Sequence, residues 1–213
     1  MTINGIDLTD FLTAMLATGL LRAVPLVLAS LGDVFAQKAG LLNLGIEGMM
    51  LSGCFFGFYA AYHTESVVLG LLAGMAAGLA LALLFALLTV QLRVDQVLVG
   101  LAITIFAGGL TGYLFRDLFG GQNVSAAVRP MTVRIPLLAD IPILGKALFD
   151  RQLLFYICWL LVPVAAFVLT RTRFGLNVRA VGENPFAADA AGVNVIRVRY
   201  LAMALAGVMA GFA

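Results

Sequence analysis

Three long stretches without a charged residue constrain this chain more than any other feature of its sequence. They are Ser66–Leu92, Gln96–Phe115 and Gln152–Thr170. A helix of about 20 apolar residues crosses the roughly 30 Å hydrocarbon core of a bilayer. The stretches also lack the polar alternation, in segments of about ten residues, that marks a membrane β-barrel. The sequence therefore predicts helices that span a membrane.

Three further segments are apolar but interrupted or short. Thr9–Gly32 contains Arg22, and Ala39–Tyr62 also carries polar residues. A sixth segment begins near Arg199 and reaches the last residue, Ala213. Its roughly 15 residues give about 22 Å of helix, which is short for a full crossing. We therefore expect an all-α, polytopic membrane helical bundle with about five full transmembrane helices and a partial sixth, in a chain cut short at its C-terminus.

Composition excludes several other classes of protein. The chain is 62% apolar and 11% charged, with a mean hydropathy of +1.06, whereas a soluble domain is about 45–50% apolar and 25% charged. Disorder requires low hydrophobicity, and a net charge of +2 offers no basic field for nucleic acid. The two cysteines, Cys54 and Cys158, lie in apolar runs and are predicted to be buried.

The distribution of Lys and Arg predicts the orientation of a single transmembrane domain, residues 1–213. Segment 171–199 holds five basic residues, and the N-terminal segment holds none. Basic loops stay in the cytoplasm, so we expect the N-terminus outside and 171–199 inside. Segment 116–151 then becomes an extracytoplasmic loop, although it also holds five basic residues beside three acids.

Glycines recur at helical spacing in two of the predicted spans. Gly70, Gly74 and Gly78 are four residues apart, a pattern that lets helix backbones approach closely in a membrane. The pattern predicts tight packing, with sliding helices as the alternative. The next span repeats the theme with Gly100, Gly108, Gly109 and Gly112.

Asn43 and Glu47 are the polar pair of most interest within an apolar segment. They are four residues apart, so on one helix they would share a face. Gly40, Gly45 and Gly48 accompany them, which favours an irregular or closely packed entry of the kind that lines transporter cavities. The alternative is an ordinary helix end near the membrane interface.

Segment 171–199 contains a short helix with signals at both ends. Asn184 suits the N-cap and Pro185 the first turn, and Gly192 suits the position after the helix. The predicted helix, Phe186–Ala191, places Asp189 on its surface. A helix this short is unstable alone, so it is either a docking element supported by its neighbours or an ordinary surface helix.

Motifs for catalysis are missing from the sequence. No phosphate-binding G-x-x-x-x-G-K-[ST] loop is present, and one histidine with two separated cysteines makes no metal site. No nucleophile elbow or pair of intramembrane acids suggests hydrolysis. We therefore predict no catalytic residue, no metal and no cofactor, and a protein that is not an enzyme.

Two stretches resemble a known family. Residues 39–50, AGLLNLGIEGMM, and the pattern from Phe174-Gly175 through 179–185, RAVGENP, to Gly192 are similar to signatures of permease subunits of bacterial ABC importers for simple sugars, nucleosides and branched-chain amino acids. The form NLGIEGMM resembles the nucleoside branch, which works with lipoproteins of the basic-membrane-protein type.

The resemblance implies a multi-pass protein of the bacterial inner membrane. It implies a cytoplasmic ABC ATPase, a second permease subunit in a heterodimer, an extracytoplasmic solute-binding lipoprotein and membrane lipid as partners, and no nucleic acid. Asn43 and Glu47 would lie near the solute pathway. The residues implied in ATPase coupling are Arg179, Gly182, Glu183, Asn184, Pro185, Asp189 and Gly192.

Alternative functions remain open on the sequence. A sugar or branched-chain amino acid permease of the same family is one. An ion-coupled secondary transporter is another, with Glu47 as the acid deep enough to consider. An inactive fragment is the third.

Overall fold

The computed structural model describes residues 2–3, 6–120, 132–134 and 150–213. Helices dominate this part of the chain, and two short antiparallel strand pairs accompany them. The strands are β1 (Thr2–Ile3), β2 (Ile6–Asp7), β3 (Thr132–Arg134) and β4 (Asp150–Gln152). The helices are α1 (Leu8–Lys38), α2 (Ile46–Thr64), α3 (Val67–Ala86), α4 (Gln96–Phe119), α5 (Leu153–Arg171), α6 (Arg173–Glu183), α7 (Pro185–Ala190) and α8 (Val195–Phe212), and a π-helical turn, Leu87–Gln91, follows α3.

The predicted all-α membrane bundle is confirmed. In the described part, five helical segments have the length and composition to cross a membrane. They are Thr13–Lys38, Val67–Gln91, Gln96–Phe119, Leu153–Arg171 and Val195–Phe212. Helix α2 is not one of them, because Glu47, His63 and its tyrosines lower its hydropathy.

The segment expected to be a partial sixth span is long and apolar enough to be one of the five candidate spans. α8 begins at Val195 rather than Arg199, where the side chain of Asn194 accepts a hydrogen bond from the backbone N–H of Arg197 at 2.9 Å. Its 18 residues extend roughly 27 Å. Ala202, Met203, Ala206 and Ala210 of this helix are all fully buried because α8 packs against α1, α2 and α3.

Other helix bounds differ from the prediction in both directions. α1 continues past Gly32 to Lys38, and α4 continues to Phe119, into the segment expected to be a loop. α2 begins only at Ile46. Residues 121–131 and 135–149 of the expected extracytoplasmic loop lie outside the described residues.

The glycines of α3 pack against neighbouring backbones, as the sequence predicted. A Cβ atom built on Gly74 would lie 2.7 Å from the carbonyl oxygen of Gly211 and 3.0 Å from that of Gly53. Such distances exclude any larger side chain without movement of the backbone. Helices α2, α3 and α8 therefore meet at glycine-to-glycine contacts.

The helix α4 uses its glycines differently. Gly100 packs against Gly45, with 3.0 Å between a built Cβ and the backbone nitrogen. Gly109 and Gly112 have no atom within 4 Å of a built Cβ. The predicted tight packing thus holds at one end of α4 and fails along the rest, where the helix exposes apolar side chains such as Ile105, 75% exposed.

The cysteine prediction is half correct. Cys158 is buried beside Val24, whose carbonyl oxygen lies 3.9 Å from its sulfur. Cys54 is exposed, because it lines open cavities on the surface of α2 and is not enclosed by neighbouring helices.

Three hydrogen bonds hold the loops at one end of the bundle close together. Arg199 donates from Nε to the carbonyl oxygen of Ala39, and Tyr200 donates to Oε1 of Gln91 at 3.0 Å. The backbone N–H of Leu42 donates to Oε1 of Gln96. Lys38, Arg93 and segment 171–199 therefore lie at the same end, which we call the basic end.

Candidate functional site

Asn43 lies in an irregular turn and not on a helix, so the prediction that it shares a helical face with Glu47 is wrong. α1 ends in a Schellman turn, in which Gly40 has a φ of +79°. The N–H groups of Gly40 and Leu41 bond the carbonyls of Gln37 and Ala36, each at 3.0 Å. Glycine adopts this left-handed conformation without the Cβ clash other residues meet. The chain then runs irregularly to α2, as the glycine-rich entry suggested.

This linker, residues 39–45, is held by side chains from two other helices. The N–H of Leu42 is bonded by Gln96 at 2.6 Å, and the hydroxyl of Thr104 donates to the carbonyl oxygen of Leu44 at 3.3 Å. Arg199 bonds the carbonyl of Ala39 at 3.3 Å. Non-helical backbone at a membrane helix end needs such partners. None of these three side chains was singled out from the sequence.

The side chain of Asn43 is buried inside the linker that it stabilises. It is 4% exposed, and its Oδ1 accepts a hydrogen bond from the N–H of Gly45 at 3.1 Å. Its amide nitrogen lies 3.9 Å from the sulfur of Met49. These contacts give Asn43 a role in shaping the turn before α2.

Asp33 adds a second buried polar group beside Asn43. It is 8% exposed, and Gln37 donates to its Oδ2 at 2.6 Å. Its Oδ1 has no hydrogen-bond partner among the described residues. Glu47, in contrast, lies in the first turn of α2 with its side chain exposed.

A cavity of about 370 Å³ opens between α2 and α4, at the end opposite the basic end. This volume falls within the range of small-molecule sites. Thr111 is buried in its wall, and Arg116 lies at its rim. The remaining lining residues are Leu51, Cys54, Phe55, Phe58, Gly112 and Phe115.

The short helix α7 is capped at both ends as the sequence predicted. Oδ1 of Asn184 accepts hydrogen bonds from the N–H groups of Phe186 and Ala187, each at 3.1 Å. Gly192 has a φ of +83°, and the N–H of Val193 bonds the carbonyl of Ala188 at 3.0 Å. The helix runs from Pro185 to Ala190, one residue earlier than expected.

The helices α6 and α7 rest on a common apolar cluster with α1 and α8. Val178 and Val181 of α6 are fully buried, and Ala188 of α7 is 5% exposed. The cluster is completed by Phe35, Ala39, Val198 and Ala202. One face of α7 therefore packs on this cluster and the other face is exposed to solvent. The packing explains how so short a helix is stable.

The predicted coupling residues divide into two groups. Arg179, Glu183, Asn184 and Asp189 are exposed around α7. Gly182 instead faces inward: a Cβ on Gly182 would overlap the carbonyl oxygen of Lys38 and lie 3.4 Å from the nitrogen of Gly40. Pro185 is the first residue of α7, and Gly192 turns the chain after it.

Phe186 is the residue of this region that sequence reasoning missed. It is 87% exposed, although it is a large aromatic residue in a helix that does not span a membrane. An aromatic residue at the second position of a capped two-turn helix was the available signal. Phe186, Asp189, Arg93 and Arg199 line a second cavity, of about 540 Å³, between α7, α8 and the π-helical turn.

Metal-binding clusters are missing from the part of the chain that the structure describes. No three His, Cys, Asp or Glu side chains converge there in a way that could hold a metal ion.

Comparison with known proteins shows the family to which this chain is similar. The family profile described as "Branched-chain amino acid transport system / permease component" matches residues 15–213. The guanosine ABC transporter permease protein NupQ of Bacillus subtilis is 35% identical over 96% of this chain and 67% of its own length. The nucleoside ABC transporter permease protein NupC of Lactococcus lactis is 33% identical over 96% and 67%.

A third relative carries a different solute in its name. The putative glucose ABC transporter permease protein TsgC13 of Haloferax volcanii is 38% identical over 96% of this chain and 62% of its own length. The chain thus spans about two thirds of the length of these curated relatives. No solved structure matches the chain.

The family match indicates a transport subunit rather than an enzyme. Together with the five apolar helices, it indicates a multi-pass protein of the inner membrane. The match covers most of α1, all of α2 to α8 and both motifs that carried the resemblance. This chain belongs to the family of branched-chain amino acid transport system permease components, the membrane subunits of ABC importers.

Proposed function

We propose that this chain forms part of the translocation path for nucleosides in an ABC importer and is driven by a separate cytoplasmic ATPase. A second permease subunit completes the path as a heterodimer, and an extracytoplasmic lipoprotein delivers the solute. Segment 171–199 then lies in the cytoplasm, and segment 116–151 lies outside. Two relatives named as guanosine and nucleoside permeases support this choice of solute.

The observation that carries the coupling assignment is the exposure of Phe186 on a supported helix. Interface anchors are often aromatic side chains, and Phe186 projects such a side chain from the capped helix α7. The charged residues around it, Arg179, Glu183 and Asp189, supply a polar rim. The 540 Å³ cavity beside α7 offers space for a side chain of the partner.

The solute path is assigned to the groove between α2 and α4. Glu47 and the 370 Å³ cavity lie along these two helices, and Asn43 shapes the turn from which α2 begins. Aromatic rings of Phe58 and Phe115 line the cavity, and such rings stack on nucleobases. The exposed groove would face the second permease subunit.

Copurification of the full complex tests the coupling assignment. We expect Phe186→Ala to weaken association with the ATPase by about tenfold or more, as loss of an interface anchor does. Leu176→Ala is the matched control, because Leu176 is 58% exposed on the neighbouring helix α6. Full association of both Phe186→Ala and a variant lacking 184–192 would refute the assignment.

The glucose permease relative supports a second candidate, a sugar permease. Uptake of labelled guanosine and of labelled glucose by the same assembled complex separates the two. Uptake that persists without ATP would instead support an ion-coupled transporter, and absence of any uptake would support an inactive fragment.

A further inference from the structure

The two sequence motifs that carry the family resemblance touch each other at the basic end. Gly182, from the RAVGENP segment, lies against the carbonyl of Lys38 and the nitrogen of Gly40, where the AGLLNLG segment begins. A Cβ built on Gly40 would lie 3.7 Å from the Cα of Gly182. The contact is therefore backbone against backbone, with no side chain between that could absorb a shift.

A polar bond and an apolar cluster reinforce this contact. Arg199 of α8 reaches the carbonyl oxygen of Ala39 at 3.3 Å and lies beside Gly40. Ala39 is fully buried in the same cluster as Val181 and Ala188. A close-packed interior transmits displacement instead of yielding to it. A movement of α7 and α6 must therefore move residues 38–40.

The far side of the linker is fixed to the helices of the proposed solute path. Leu41, 2% exposed, packs in the central cluster with Met49 of α2 and Ile103 of α4. Gln96 bonds the N–H of Leu42, and Thr104 bonds the carbonyl of Leu44. Asn43 closes the turn onto Gly45. A displaced linker thus changes the position of α2 relative to α4.

We propose that the backbone contact of Gly182 with the 38–40 turn is the mechanical joint that passes ATPase motion to α2 and α4. Gly182 acts as a positioning residue and does not contact the ATPase. The inference rests on the proposed function, since it takes α7 as the docking helix. In this proposal the linker 39–45 is a two-state element. The bound ATPase shifts its equilibrium, and its position sets the arrangement of α2 relative to α4.

The test separates docking from transmission by a readout that needs no solute. The complex of this chain with its ATPase is reconstituted in membranes, and the exposed thiol of Cys54, which lines the groove between α2 and α4, is labelled with a membrane-impermeant thiol reagent. The labelling rate is measured without nucleotide and with ATP plus vanadate. ATPase association is measured on the same samples.

We expect the wild-type labelling rate to change severalfold with nucleotide. Gly182→Ala should keep the ATPase bound and lose this change, because an added methyl group forces α6 away from Lys38. Gly19→Ala is the matched control, since Gly19 has no atom within 4 Å of a built Cβ. A nucleotide response in Gly182→Ala equal to wild type, or no response in wild type, would overturn the joint.

A second variant covers the case in which Gly182→Ala fails to assemble. Arg199→Gln leaves Gly182 unchanged but removes the bond to Ala39, and so loosens the 38–40 turn against which Gly182 packs. Assembly with a weakened nucleotide response supports the joint, and a wild-type response overturns it. Failure of the nucleoside assignment alone would appear as absent guanosine uptake with the labelling response preserved. Failure of α7 as the docking helix would appear as ATPase association retained by the variant lacking 184–192.

Discussion

The helices α3 and α4 both carry glycines at helical spacing, yet their surroundings differ. Gly74 of α3 is wedged between Gly53 of α2 and Gly211 of α8. A Cβ built on Gly109 or Gly112 of α4 would meet no atom of another helix within 4 Å. The same residue type therefore closes one helix interface and leaves another face open. The difference indicates which part of the bundle is fixed and which part is free to line a path.

The largest effect should come from enlarging a glycine in the closed interface. We expect Gly74→Leu to destabilise the fold by more than the 1–3 kcal/mol typical of overpacking, since its new side chain meets backbone atoms on both sides. Thermal unfolding and yield of monodisperse protein in detergent measure this. Gly109→Leu is the control, and equal melting temperatures for the two variants would contradict the packing described.

A smaller and more selective effect is expected on the open face of α4. Gly112 lines the 370 Å³ cavity and Gly109 does not, although both have free space. Gly112→Leu should lower solute uptake about tenfold, equivalent to about 1.4 kcal/mol, and leave thermal stability unchanged. Gly109→Leu should leave both unchanged. If the two variants transport equally well, the path does not run through this cavity.

The smallest effect concerns the cap of α7. Asn184→Ala should cost about 1 kcal/mol of helix stability, which lowers affinity for the ATPase by at most about fivefold, because apparent affinity falls with the fraction of the docking helix that is formed. Titration of the ATPase subunit against the purified permease measures the change. Asn184→Ser keeps an accepting oxygen and should restore binding. Equal affinities for the Ala and Ser variants would remove capping as the cause.

Local signals predicted local structure well. Asn184, Pro185 and Gly192 bounded α7 to within one residue, since caps and left-handed turns are decided by neighbouring backbone groups. The apolar runs predicted the bundle, because a bilayer admits few alternatives to helices. Helix starts were less accurate: α2 begins after the glycine-rich turn, and α8 begins at Val195 because Asn194 caps it, a cap that was not recognised.

Local signals could not predict contacts between segments that are distant in the sequence. Asn43 was assigned to a helical face, but the Schellman turn at Gly40 and the bonds from Gln96, Thr104 and Arg199 hold it in a linker. Cys54 was expected to be buried, and its exposure depends on which side of α2 meets α3 and α8. The glycine spacing of α4 matched that of α3 and carried no information about its neighbour.

The sequence by itself determined that this chain is a helical membrane protein with a short capped helix between two spans, because hydropathy and capping act over a few neighbouring residues. Only the tertiary structure decided that Gly182 faces Gly40 and not the solvent. It also decided that the side chain of Phe186 is exposed, and that α8 packs between α1, α2 and α3. These features depend on which helix surfaces meet across the bundle, a choice governed by packing among distant segments, such as those of Ala39 and Arg199, which are 160 residues apart in the sequence.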